Sequence, residues 1–143
     1  MNLPTYITGT IQTKSYAILR ENVYVVLDKR DITPTYWAML GVIFEAKDGI
    51  RQAAVAKAMN VKPPLITIMV RQMEQRGIIQ TVQNQFDARA KLLSVTPEGK
   101  RFMKDTESEL NKQLTMLLVG LTESDMRTYQ KVLLTIISNG SSL

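Results

Sequence analysis

Neither cysteine nor histidine occurs anywhere in this chain of 143 residues. Without cysteine there is no disulfide, no thiolate metal site and no thiol-based redox sensing. Without histidine the commonest general base, the commonest transition-metal ligand and the usual pH switch are missing. Catalysis would have to run on carboxylates, Lys, Tyr or Ser alone. The candidate carboxylate pairs, Glu107 with Glu109 and Glu123 with Asp125, have no supporting base or metal ligand. The first pair reads as helix surface, the second as favourable charge in a first helical turn. The expectation is a protein that is not an enzyme and carries no cofactor or metal. Long apolar runs are absent too: none approaches the roughly 18 residues of a membrane span. Met1 to Gly9 has no basic stretch leading into an apolar one, so no secretory signal is expected, no membrane partner, and a cytoplasmic location.

Apolar residues make up 45% of the chain, enough for one domain with a real core. Net charge is +5, and its distribution is uneven. Between Arg51 and Lys104 stand ten basic residues against three acids, Glu74, Asp87 and Glu98, a local excess of +7. That places positive charge mid-chain, where it can meet a phosphate backbone.

Apolar spacing predicts a long first helix over Tyr6 to Arg30, with Ile7, Ile11, Ile18, Leu19, Val23, Val26 and Leu27 at steps of mostly three and four. Thr33-Pro34 starts a second helix as cap and first residue, running through Trp37, Leu40, Ile43 and Phe44 towards the turn at Asp48-Gly49. Arg51 to Met59 reads as a short helix stopped at Asn60. Pro63-Pro64 opens another, running to Arg76 and closed by Gly77. Two short helices with so brief a link form a helix-turn-helix pattern. The period then changes: Ile78 to Gln83 and Lys91 to Thr96 read as strands of a hairpin around a mostly polar loop, which makes a wing. Thr96-Pro97 starts a helix to about Val119. Thr122, answered by Asp125, caps a last helix that ends before Asn139-Gly140.

At this point the residues resemble a known family. Phe86-Asp87-Ala88-Arg89-Ala90-Lys91-Leu92-Leu93-Ser94-Val95-Thr96-Pro97-Glu98-Gly99 is similar to the wing signature of MarR-type transcription regulators: Asp-x-Arg, a strand ending in Leu-Thr (here Val95-Thr96), then x-x-Gly. Val55-Ala56, Met59, Val61, Ile66-Thr67, Val70, Met73-Glu74 and Gly77 resemble the helix-turn-helix of that family. Thr33-Pro34 with Trp37 and Leu40 resembles its second helix, and Leu121-Thr122 its last. The chain departs from the pattern in two places: Ala88 stands where many members have a second Arg, and the recognition helix opens with Pro63-Pro64-Leu65 instead of Ser or Thr. The resemblance implies a mainly α (α+β) winged helix-turn-helix, six helices plus a β-hairpin wing. Residues 33–96 would form the DNA-binding region, and residues 1–32 and 97–143 the dimerisation helices of one compact chain.

On a wheel of about 100° per residue, Ile66, Met69, Val70 and Met73 form the inner face of the helix Pro63 to Arg76. Pro64, Thr67, Ile68, Arg71, Gln72 and Gln75 lie on or beside the outer one. Thr67, Ile68, Arg71 and Gln72 are expected to face bases: Arg71 a guanine, Ile68 and the Thr67 methyl the methyl groups of thymines. Lys62 and Gln75 are expected at phosphates. A lone Arg89 at a hairpin tip suits a narrow A·T-rich minor groove, with Asp87 holding its guanidinium and Lys91 on the backbone; in the resembled family the matching Arg enters that groove.

Leu110, Leu114, Leu117 and Leu118, with Met126, Val132, Leu133, Ile136 and Ile137, supply more apolar surface than a winged helix needs. They point to a twofold homodimer reading a palindromic operator in double-stranded DNA. Members of the resembled family often bind small aromatic acids between dimer layer and reading head, where analogy places Tyr16, Tyr36, Trp37 and Met39. The function expected is a DNA-binding transcription regulator, a repressor by analogy. The competing expectation is a winged helix kept for protein–protein contact, favoured by the proline-opened, apolar-leaning recognition helix.

Overall fold

The computed structural model describes residues 4–87 and 91–141 of the chain. The elements follow in the order α1 (Thr5–Asp28), α2 (Pro34–Glu45), α3 (Gln52–Met59), α4 (Pro63–Gln75), β1 (Ile79–Gln83), β2 (Lys91–Val95), α5 (Pro97–Thr115) and α6 (Glu123–Gly140). Six helices and one antiparallel hairpin make a winged helix flanked by long terminal helices. The hairpin register runs from Ile79 opposite Val95 to Gln83 opposite Lys91.

Local chemistry accounts for most boundaries. Thr33 and Thr96 accept the Tyr36 and Gly99 amides, and a proline follows each at the first helical position. Asn60 stops α3 in the left-handed conformation, and the Val61 amide returns to the Ala56 carbonyl. Thr122 and Asp125 form a reciprocal capping box. The hydrogen bonds from Thr122 hold the Asp125 carboxyl below its ordinary pKa.

The core lies between α2, α3, α4, the hairpin and the C-terminal end of α1. Leu27, Met39, Leu40, Ile43, Ile66, Met69 and Ile79 are its largest fully buried apolar side chains. Two polar contacts join α5 to α1 and to the turn that follows it. The Glu109 carboxylate accepts both Nε and Nη2 of Arg30, at 3.1 and 2.7 Å, and the Gln113 amide donates to Asn22 at 2.7 Å. The Arg30 hydrogen bond, against a smaller opposing effect of desolvation, holds the Glu109 carboxyl below its ordinary value. α6 contributes no buried residue at all.

The structure differs from the sequence expectation in several places. α1 ends at Asp28, because Asp31 takes a positive φ of 52° and turns the chain towards α2. α5 stops at Thr115 and not near Val119. Residues 116–120 wind into tight turns, and Gly120 adopts a φ of 89° that a side chain would resist, which resets the direction for α6. α6 runs on through Gly140 to its cap at Ser141. Leu110 belongs to the chain's own core, not to an apolar surface. Ile50 pairs with Leu93 in a bridge of two backbone hydrogen bonds, 3.1 and 2.8 Å, which ties the start of α3 to the wing.

A Cβ on Gly99 would stand 2.0 Å from the Ile78 carbonyl oxygen and 2.8 Å from the Val95 side chain. The first turn of α5 therefore presses directly on the α4–β1 link. Gly99→Ala is expected to destabilise the fold by about 1–3 kcal/mol, measured by urea unfolding; unchanged stability would mean the link yields freely. The lowered Glu109 pKa adds stability that is complete above the ordinary carboxylate value and is lost as pH falls through the depressed one. Wild type is thus expected to unfold at a higher temperature than Glu109→Gln at neutral pH, with the gap closing on acidification below pH 4.5, the reference value for Glu. A gap independent of pH would exclude the ion pair as its source.

Candidate nucleic-acid interface

α4 has two faces of different chemistry. Ile66, Met69, Val70 and Met73 are buried, whereas Lys62, Pro64, Thr67, Ile68, Arg71, Gln72 and Gln75 are exposed. The helix wheel read from sequence is the wheel observed. Ile68 is 55% exposed, and Leu65 beside it is also open to solvent. Among the described residues nothing pairs with the Arg71 guanidinium or the Lys62 ammonium, so both charges are free for a partner.

Two outer residues of α4 are already tethered inside the protein. The Thr67 hydroxyl accepts Gln52 Nε2 at 2.6 Å and donates to the Pro63 carbonyl at 3.1 Å, so what remains for a partner is its methyl group. The Gln72 side-chain oxygen accepts the Tyr36 hydroxyl, which fastens α4 to the start of α2.

On the wing, Lys91 is exposed at the first residue of β2. Arg89, with Ala88 and Ala90, lies outside the described residues. The Asp87 carboxylate stands 3.6 Å from Arg51 Nη2, at the N-cap of α3. The sequence counted Arg51 only as a basic residue; the structure makes it a strut between helix-turn-helix and wing. No short-range signal announces this, because the partner is thirty-six positions away in the chain. Arg76, counted with the same basic cluster, folds back along the surface onto the α1–α2 link. It donates to the carbonyls of Asp31 and Arg30 at 2.7 and 3.0 Å and sits 5.5 Å from the Phe102 ring centroid. Its charge is used to hold the α4 end against the α1–α2 link.

The four residues expected near an effector do not converge. Tyr16 is exposed on α1, and Met39 is fully buried in the core. Tyr36 opens into a hollow of about 490 Å³ beside Thr33, Gln72 and Arg76. Trp37 opens into a separate one of about 550 Å³ with Phe44, Met103, Lys100 and Lys104. A larger apolar hollow, about 780 Å³, lies between α1, residues 114–121 and α6, lined by Ile18, Val23, Leu118, Met126 and Tyr129 among others. The carboxylates weighed as catalytic pairs are all engaged: Glu109 with Arg30, Glu123 with Arg127, Asp125 with Thr122, and Glu107 with Asn111.

A helix-turn-helix with a free outer face, followed by a two-stranded wing, is the arrangement that the family comparison matches: the model of the MarR family aligns with residues 32–91. The matched segment runs from the residue before the Thr33 cap, through all of α2, α3, α4 and β1, to the first residue of β2. Solved structures share the MarR-type fold over nearly the full chain. CouR from Rhodococcus jostii RHA1, solved bound to p-coumaroyl-CoA, has 22% identity and a TM-score of 0.78 over 90% of each chain. A mutant MarR from E. coli, solved with operator DNA, has 19% identity and a TM-score of 0.70 over 95% of this chain and 99% of its own. A mutant of S. aureus MepR, solved bound to an oligodeoxyribonucleotide, has 21% identity and a TM-score of 0.65 over 97% and 99%.

The Arg51–Asp87 pair is exposed, so its removal should cost little global stability, about 0.5 kcal/mol. Its effect should be local. Arg51→Ala is expected to speed amide exchange in the peptide from Gln83 to Lys91 while leaving the melting temperature nearly unchanged, read by hydrogen-exchange mass spectrometry; equal exchange would show that the wing is held without it.

Proposed function

We propose that this chain is a sequence-specific double-stranded DNA-binding transcription regulator, a repressor, that acts as a homodimer on a palindromic operator. The observation that carries the reading is α4 itself, whose inner side is used up in the core while its outer side offers unpaired Arg71 and Lys62 beside Ile68 and the Thr67 methyl. Arg71 would take a guanine edge in bidentate fashion, Ile68 and Thr67 thymine methyls, Lys62 and Gln75 phosphates, with Gln72 and Pro64 flanking. Arg89 would enter the minor groove, Lys91 would meet the backbone, and Asp87, through Arg51, would hold the wing in place. No helix among the described residues is long and apolar enough to cross a membrane; the reading places the protein in the cytoplasm with its operator.

Dimerisation is supported by what α1 and α6 leave uncovered. Tyr6, Ile7, Ile11 and Tyr16 on α1, and Val132, Leu134, Ile136 and Ile137 on α6, are exposed, and α6 buries nothing within one chain. A second copy would cover both faces and place two recognition helices about one helical turn of DNA apart. For the effector, the Trp37 hollow joins aromatic walls to two lysines, Lys100 and Lys104, and two carboxylates, Glu45 and Glu107; a small aromatic acid held there by a lysine would release the DNA on binding.

A protein-docking winged helix is the second reading, favoured by exposed Leu65 and Ile68 on α4. Salt separates the two. A dimer making several phosphate contacts is expected to lose affinity for its duplex by about a thousandfold between 50 and 200 mM salt, measured by fluorescence anisotropy with sedimentation for the assembly state. Arg89→Ala should weaken binding with the dimer intact. Arg71→Ala should relax preference at one base pair by about 1–3 kcal/mol. Monomers that ignore duplex DNA at low salt would refute the reading.

A further inference from the structure

Phe86 is 97% exposed, the highest value of any large apolar side chain among the described residues. Leaving a phenyl ring in water forgoes about 1.5–3 kcal/mol of burial, and nothing in the chain's own fold uses it. Its backbone is nonetheless held on both sides. Asn84 Oδ1 accepts the Phe86 amide at 2.9 Å, closing a side-chain turn, and the next residue, Asp87, faces Arg51 at 3.6 Å. The ring is therefore presented from an anchored turn at the end of the hairpin.

Its surroundings select the kind of partner. Val82 on β1, only 37% exposed, is the nearest exposed apolar side chain along the strand that leads to the turn, so Phe86 is a single point and not part of a contiguous apolar patch of the kind that docks proteins. Arg51 and Asp87 pair across the turn, and Arg89 and Lys91 follow in the chain, which leaves a net positive charge around the ring. A lone apolar side chain among basic ones matches the chemistry of minor-groove wedges, which enter between base pairs, partly unstack a step and bend the duplex, while the cations hold the phosphates.

We propose that Phe86 is such a wedge: it enters the minor groove, unstacks one base step and bends the bound duplex. This rests on the DNA-binding reading above and adds a specificity element to it, because pyrimidine–purine steps such as TA and CA unstack at least cost.

The test uses the full-length protein and duplexes that the wild type retains from a random-sequence pool, end-labelled for energy transfer and carrying 2-aminopurine next to the flexible step. Phe86→Ala is expected to keep the wild-type melting temperature, because the ring packs on nothing in the fold. It should bind about tenfold more weakly, in the range of aromatic–base stacking. The salt slope should stay the same, because the ring displaces no counterions, whereas Arg89→Ala should lower it. The bend should shrink by roughly 20° or more, with weaker 2-aminopurine emission, and Phe86→Leu should recover most of both. Equal affinity and bend in Phe86→Ala would overturn the proposal, as would lost affinity with an unchanged bend. If the wild type retains no duplex even at low salt, the DNA-binding reading itself fails, and that is seen before any variant is compared.

Discussion

The contact between the Thr96–Gly99 turn and the Gly77–Ile78 link is the constraint on which the rest of the molecule depends. Thr96 Oγ1 lies 2.5 Å from the Gly77 carbonyl and 2.9 Å from the Gly99 amide, while the Thr96 amide donates to Ile78 at 3.0 Å. Gly99 brings the first turn of α5 against that same carbonyl, where a side chain has no room. One small joint thus gathers the end of α4, the base of both strands and the start of the long α5. α5 is thereby packed against the end of α4 and the base of the wing at a single point. This gives the x-x-Gly of the wing signature a steric cause.

A second set of contacts works on the other side of α4. Gln72 meets Tyr36, and Arg76 donates to the Arg30 and Asp31 carbonyls of the α1–α2 link while resting over Phe102. α4 is therefore braced from both sides, to α5 through Gly99 and to the α1–α2 link and α2 through Arg76 and Tyr36. In the proposed DNA-binding reading, such bracing would hold the outer side chains of α4 in a fixed pattern.

The two ends of the chain follow a different rule. α1 and α6 carry isoleucine, leucine, valine and tyrosine into solvent, and the capping box of α6 orders a helix that packs on almost nothing. A helix draws most of its stability from packing of its apolar face, and in the proposed dimer a second copy would supply that packing. The contrast between a well-packed centre and uncovered ends is the physical basis for reading the centre as the working head and the ends as assembly surface.

Most helices and the wing were legible in sequence because their signals are local. Threonine caps with proline behind them, an asparagine stop, the capping box and the 3.6-residue apolar spacing of Ile66, Met69, Val70 and Met73 depend on residues a few positions apart. The inner and outer faces of α4 were readable for the same reason. What local signals cannot carry is partnership across the fold. Arg51 and Arg76 look alike as basic residues, yet one pairs with the wing and the other holds the α1–α2 link. The single-residue bridge of Ile50 to Leu93 has no period to betray it, and α5 ends early in a run of turns that closes on the left-handed Gly120. Sequence by itself determined the elements, their order and the chemistry of each face, because those arise between near neighbours. Tertiary structure alone decided which charges are spent inside and which remain for a partner, because that depends on which distant atoms the packed core brings within bonding distance.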